Sequence, residues 1–217
     1  MSAHIVRPGE HLRAICFRRG LNADKVWRSP DNEELRKTRE DPAILCPGDI
    51  LHLPAAEPKF LPVKIGAVNT YVTCVPTIPV KIVVQGYDKP LKGEPYAIEG
   101  LGDRKEGTTD SDGYVTADVP VDCPSFLLVL TERALSYHVL VGHLDPLAEE
   151  SGIFGRLSNL GYVSPIGHLL ARYGIELADS PTRIQAPLRA FQKAKGLPVT
   201  GKPDSTTLDA LKRGHGI

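Results

Sequence analysis

The chain has 217 residues, 41% hydrophobic and 24% charged, with 26 Lys plus Arg against 26 Asp plus Glu. A formal net charge of zero argues against nucleic acid or an anionic membrane surface as the main partner, because both select a basic face. No run of about 18 apolar residues occurs, so no membrane span is expected, and 20 Gly with 19 Pro cut the chain into elements too short for long bundles or a doubly wound sheet.

The N-terminus, Met1-Ser2-Ala3-His4-Ile5-Val6-Arg7-Pro8-Gly9, lacks a basic head followed by an apolar stretch. Synthesis in the cytoplasm without a secretory signal is expected, and work on the envelope would need delivery by a dedicated machine. Cys16, Cys46, Cys74 and Cys123 stand apart without a C-x-x-C pair and read as reduced, mostly buried thiols. The stretch Ala55 to Pro62 carries two prolines and no periodicity, so it reads as a linker. A second joint follows Asp145-Pro146. The expected organisation is multidomain α+β, with pieces at residues 1–55, 62–147 and 148–217.

The first piece opens with a strand, His4 to Val6, and a Pro8-Gly9 turn. A helix follows, with Leu12, Ile15, Cys16 and Arg19 at i, i+3, i+4 and i+7, closed by Gly20. A second helical stretch holds Val26-Trp27 and Glu33-Glu34-Leu35-Arg36. Pro47-Gly48-Asp49 turns into a last strand, Ile50 to Leu53. The order is β-α-α-β, with the strands at the two ends, where they can pair.

Val6-x-Pro8-Gly9-Glu10-x-Leu12-x-x-Ile15, followed by Leu45-x-Pro47-Gly48-Asp49-x-Leu51-x-Leu53-Pro54, resembles a LysM domain over residues 3–54. The resemblance implies binding of N-acetylglucosamine-containing glycans, peptidoglycan or chitin, in a groove between the loop after the first strand and the loop before the second. One wall would be Gly9, Glu10, His11 and Leu12. The other would be Asp41, Pro42, Ala43, Ile44 and Leu45. Main-chain polar groups of both loops would bond the N-acetyl groups while Ile44 and Leu45 cover the sugar ring. His11 stands where the family often has a small hydroxyl residue, and the segment from Trp27 to Asp41 is longer than usual.

The middle piece is a run of short strands: Thr70–Val75, Val80–Val84, Tyr96–Glu99, Tyr114–Val119, Phe126–Thr131 and Tyr137–Val141. Their Val, Ile, Tyr and Thr content and the Gly, Pro and Asp turns between them suggest an antiparallel β-sandwich. Pro90-Leu91-Lys92-Gly93-Glu94-Pro95-Tyr96, then Thr108-Thr109-Asp110-Ser111-Asp112-Gly113-Tyr114, is similar to prealbumin-like or immunoglobulin-like spacer domains of bacterial surface proteins. Asp110-x-Asp112-Gly113 reads as an Asp-Gly hairpin turn, because a calcium loop needs more oxygen ligands and a later bidentate acid.

The last piece is helical. Ile153, Phe154, Leu157 and Leu160 share a face closed by Gly161. Ile166, Leu169, Leu170 and Tyr173 form a second helix, closed by Gly174. Ser180 caps a third with Pro181 at its first position. This helix presents Ile184, Leu188 and Phe191 and ends at Gly196. Asp204 caps a fourth, with Leu208 and Leu211. Leu157-x-x-Leu160-Gly161-Tyr162, then Leu188-Arg189-Ala190-Phe191-Gln192, Gly196-Leu197-Pro198-Val199-Thr200-Gly201 and Thr207-Leu208-x-x-Leu211, resembles a peptidoglycan-binding domain of the three-helix type over roughly residues 151–213. The usual Asp-Gly-x-Phe-Gly loop after the first helix is replaced by Ser164–Gly174. Phe191, Leu197 and Leu208 read as core. Tyr162, Arg189 and Gln192 are the wall contacts the resemblance implies.

Catalytic patterns are weak. His138, His143 and Asp145 form H-x4-H-x-D, with His168 beyond. A regular strand would send His138 and His143 to opposite faces, and zinc needs three convergent ligands with a general base. Neither H-E-x-x-H nor G-x-S-x-G occurs, and Cys16 and Cys74 lie inside expected elements. The expectation is a non-catalytic binder of peptidoglycan or another amino-sugar glycan, without cofactor or metal. Two weak sites on one chain would reinforce each other by avidity. The arrangement resembles small accessory proteins of contractile injection systems and phage-like tails, which implies spike or baseplate partners. The alternative is an assembly adaptor that docks proteins without binding glycan, and a wall hydrolase is the third option.

Overall fold

The structure is a computed structural model that describes residues 1–56, 60–72, 74–86, 89–163 and 183–215. Its buried apolar side chains fall into three clusters in chain order.

In the first unit β1 (Ser2–Ile5) and β2 (Ile50–Leu53) pair antiparallel, Ser2 opposite Leu53 and Ile5 opposite Ile50. Between them come α1 (Leu12–Arg18), α2 (Ala23–Arg28), a 3-10 turn at Pro30–Asn32 and α3 (Glu33–Thr38). The end strands pair as expected, although the first runs Ser2–Ile5 rather than His4 to Val6, and the single second helical stretch expected is divided into α2, the 3-10 turn and α3. Helices of six or seven residues are not stable alone in water, so burial of one face has to hold them. Leu12, Ile15 and Cys16 supply that face and pack with Val26, Leu35, Leu45, Leu51 and Leu53. A fully buried leucine contributes about 1.5–3 kcal/mol. Arg19 lies outside the face, exposed at the helix end. The buried Asn32 ties helix to sheet: its amide donates to the carbonyls of Val26 and His52, and its Oδ1 accepts from the His52 amide.

The second unit contains two antiparallel sheets. One joins β3 (Thr77–Val83) to β6 (Tyr114–Pro120). The other runs in the order β5 (Lys105–Thr108), β4 (Pro95–Glu99), β7 (Ser125–Leu130), β8 (Leu135–Leu140). Period-two burial is clear in β6, where Val115, Ala117 and Val119 are buried and Thr116 and Asp118 exposed. Phe126, Leu128 and Leu130 of β7 meet them in one cluster. Pro79 lies in β3, a strand with one partner, where a missing N–H is tolerated.

Two expectations change here, and one strand is added. Thr70–Val75 is not in a strand; its described residues make no ladder and Pro76 separates it from β3. Lys105–Thr108, too polar to read as a strand, becomes one by pairing with Pro95–Ile98. The Asp110–Gly113 turn does not close a hairpin, since the flanking β5 and β6 belong to different sheets. Asp110 Oδ1 accepts from the amides of Asp112 and Tyr114 at 2.9 and 2.8 Å, so its carboxylate is used in shaping that crossing.

The third unit packs α4 (Glu150–Asn159) against α5 (Gln185–Ala194) and α6 (Ser205–His215). Ile153, Leu157, Ile184, Leu188, Phe191 and Leu211 form its core. Asp204 caps α6 through a 2.9 Å bond from the Thr207 amide to Oδ1, as the sequence indicates. The helix expected at Ile166–Tyr173 and the Ser180-Pro181 cap lie outside the described residues. Among the described residues no helix is long and apolar enough to cross a membrane.

The units touch. Val83 packs against the third cluster. Arg39 Nη1 donates to Glu149 Oε1 at 3.1 Å, and Lys212 Nζ lies 3.5 Å from Glu40 Oε2.

Candidate functional site

One wall of the groove expected in the first unit, at Gly9 and His11, lies against the second unit. A methyl group placed on Gly9 would stand 2.6 Å from His143 Nε2, and one on Gly142 would stand 2.6 Å from the Gly9 carbonyl oxygen. His11 is 3% exposed, and its ring hydrogen-bonds the backbone of Val121. Burial pulls the His11 pKa below its ordinary value; the Val121 bond opposes this, and Arg18 and Arg13 add to it. Leu12 and Leu45 are core side chains.

Glu10 is committed as well. Its Oε1 accepts from Arg18 at 2.7 Å, and its Oε2 lies 2.8 Å from His4 Nε2 and 3.1 Å from the Arg7 amide. Burial raises the Glu10 pKa, but the His4 and Arg7 hydrogen bonds and the His4 and Arg18 charges outweigh it and leave it lowered.

On the facing wall Asp41 folds back on itself, Oδ1 accepting from the Ala43 amide at 2.8 Å. Pro42 and Ile44 are half-buried. Arg39 grips Asp49 through two bonds of 2.9 and 3.0 Å and reaches Glu149 with its remaining arm. The loop before β2 is thereby pinned to the start of the third unit. Of the residues expected to line a sugar groove, His11, Leu12 and Leu45 are buried and so are not open to a ligand, while Gly9, Glu10, Asp41, Pro42 and Ile44 stay partly exposed.

The residues that close the groove were not readable as such. His143 reads in sequence as one of a histidine pair. The structure sends His143 over Gly9 and places His138 Nε2 3.0 Å from Ser125 Oγ. The detectable signal was Gly142, whose φ of 76° marks a tight turn.

In the third unit the three expected contacts separate. Tyr162 is half-buried and meets the Phe191 ring edge-on at 5.3 Å between centroids. Burial pushes its phenol pKa up. Arg189 is exposed and lies over Gly201, its Nε 2.8 Å from where a Cβ would stand. Gln192 is fully buried. Its amide donates to Thr200 Oγ1, Lys202 O and Thr207 Oγ1, and its Oε1 accepts from the Gly201 amide at 2.8 Å. Gln192 is therefore corrected from a surface contact to the post that holds the 200–202 turn, over which Arg189 lies.

Beside these residues is an open concavity of about 340 Å³, lined by Lys195, Leu197, Ala210, Arg213 and Gly214. A second, of about 410 Å³, lies in the first unit between α3 and β2, with Asp31, Glu34, Asp49 and His52 on its walls. The first was missed because its lining comes from the end of α5 and the last turns of α6. Its signal was local charge: residues 183–215 carry seven Lys and Arg against two Asp in a chain that is neutral as a whole.

Behind the concavity, Arg156 is 3% exposed. Its Nη1 donates to the Asp145 and Gly152 carbonyls at 2.9 Å each, while Nε is unpartnered. His215 Nε2 lies 3.0 Å from the Asn159 amide nitrogen, and its Nδ1 is buried without a partner. Burial first, and the Arg156 charge second, push the His215 pKa down to about 4. Among the described residues no group of three His, Cys, Asp or Glu is arranged to hold a metal ion.

No curated protein and no solved structure matches the chain. Residues 155–211, from α4 to near the end of α6, match the model of the family described as "Putative peptidoglycan binding domain".

Proposed function

We propose that this chain is a non-catalytic peptidoglycan-binding protein whose wall contact is the C-terminal helical unit. The observation that carries the reading is the family match over residues 155–211. The exposed Arg189 above the turn held by Gln192, and the cationic concavity lined by Lys195 and Arg213, support it. The first unit pairs its two end strands around short helices, and the loop after its first strand faces the second unit. In this reading it is a packed structural partner, and avidity between two open sites is not part of the mechanism. The two-sheet unit is the spacer that joins them. Because peptidoglycan lies in the envelope, the chain acts there.

Co-sedimentation of the full chain with purified sacculi tests this. The protein is expected to pellet with the wall, and Arg189→Glu to lower the bound fraction at least threefold. A chain that stays in the supernatant at all wall concentrations refutes the proposal.

A second reading, an assembly adaptor, is favoured by one feature. Leu135, Tyr137 and Leu140 are 48%, 46% and 54% exposed along β8, an edge strand with one partner. Such an edge suits a protein partner, including a spike or baseplate protein of an injection machine. Retention of the chain by such a partner without wall binding identifies this case.

A further inference from the structure

Resting on the peptidoglycan reading, we propose that the concavity between α5 and α6 is a carboxylate subsite that takes the free C-terminal end of a peptidoglycan stem peptide. The sugar polymer itself is uncharged along most of its hydroxyl surface. The stem peptide brings carboxylates, and it ends in small methyl-bearing residues. The concavity offers the complementary chemistry. Lys195 and Arg213 stand at its rim, and no acidic side chain among the described residues lines it. Leu197 and Ala210, both packed on the third core, give it an apolar floor. Gly214 leaves main chain accessible at one side, and the nearest atom to a Cβ placed there would be Leu160 Cδ1 at 3.8 Å.

Both cations stand at helix C-termini, where positive charge is favourable, and their charged ends remain available to a ligand. Lys195 and Arg213 are both exposed, and neither is in an ion pair among the described residues. The adjacent Lys212 behaves differently, reaching across to Glu40 of the first unit. A guanidinium binds a carboxylate through two parallel hydrogen bonds, and an ammonium adds a point charge beside it. With the apolar floor below, this arrangement selects a carboxylate carried on a methyl-bearing carbon over a bare anion. The surplus of five positive charges in residues 183–215 adds long-range attraction to an acidic polymer.

The test uses the isotope-labelled full chain and three probes. The first is a stem tetrapeptide ending in D-alanine with a free carboxylate. The second is the same peptide amidated at its C-terminus, and the third is inorganic phosphate. The free-acid peptide is expected to shift the amide signals of Leu197, Arg213 and Gly214, and amidation to weaken binding at least tenfold. The double variant Lys195→Gln/Arg213→Gln, with an unchanged folded spectrum, is expected to lose the peptide response and at least fivefold of its sacculus binding. If wild type and double variant pellet equally with sacculi and the peptide moves no signal, the subsite is refuted while the peptidoglycan reading stands. Equal shifts from phosphate at the same concentration also refute it, in favour of an unselective anion patch. If the wild type does not pellet with sacculi, the broader reading fails and this subsite fails with it.

Discussion

At the scale of single residues, the third unit keeps two basic groups in its interior. Arg156 and His215 are close enough for the guanidinium to disfavour a second positive charge, and burial disfavours it further. His215 is therefore neutral in the folded chain at neutral pH, with a pKa of about 4, against an ordinary value of 6.5. The unfolded chain binds this proton more readily. Stability is complete above about pH 6.5 and falls as the pH drops toward 4, after which this contribution levels off. The expected loss is on the order of 3 kcal/mol. Burial lowers the His11 pKa too, adding loss in the same direction. Urea unfolding at pH 7.5 and at pH 4.5 measures the sum, and His215→Gln should flatten the dependence. An equal slope in the variant would show that His215 is not its source.

At the scale of elements, α4 shows packing overriding propensity. Gly152 sits inside this helix, where alanine is ordinarily better by about 1 kcal/mol. Here a methyl group would stand 1.9 Å from the Pro146 carbonyl oxygen and 2.6 Å from that of Asp145. The backbone of the joint between the second and third units lies directly on the helix. Gly152→Ala is therefore expected to destabilise by about 2 kcal/mol or more, by overpacking against a main chain that Arg156 also holds. A melting temperature equal to or above that of the parent chain contradicts this. The periodic positions of α1, α4 and α5 were legible from their apolar spacing. β5 was not, because a strand of Lys, Glu, Gly and Thr has no pattern until β4 offers it a ladder. Thr70–Val75 shows the converse: β-rich composition alone makes no strand, and its described residues join no ladder.

At the scale of the whole molecule, the first unit is held face-down. Gly9 meets His143, His11 meets Val121, Arg39 meets Glu149, and Glu40 meets Lys212. Gly142 lies in this contact, a methyl group on it standing 2.6 Å from the Gly9 carbonyl oxygen, and has a φ of 76°, a conformation unfavourable for alanine. Gly142→Ala should force the units apart. Hydrogen exchange at residues 9–12 is expected to accelerate at least tenfold, with the cores of the separate units keeping their protection. Unchanged exchange at those amides contradicts the closed arrangement. This contact is also why His11, expected at a sugar groove, is buried. Gly9 to Leu12 and Asp41 to Leu45 have the spacing of two facing loops, and spacing carries no information about what lies on top of them.

The local spacing of apolar residues, caps and turn residues determined the helices of the outer units, the pairing of the terminal strands and the kind of fold at the C-terminus. These depend on contacts a few residues apart, or on faces that must be buried wherever they go. Only the tertiary structure decided which polar residues reach solvent. Gln192 and Arg189 are three residues apart on one helix, yet one is spent on the 200–202 turn and the other is free above it. The reason is geometric: exposure depends on which distant segment arrives to cover a face, and that is settled when the three cores pack against one another.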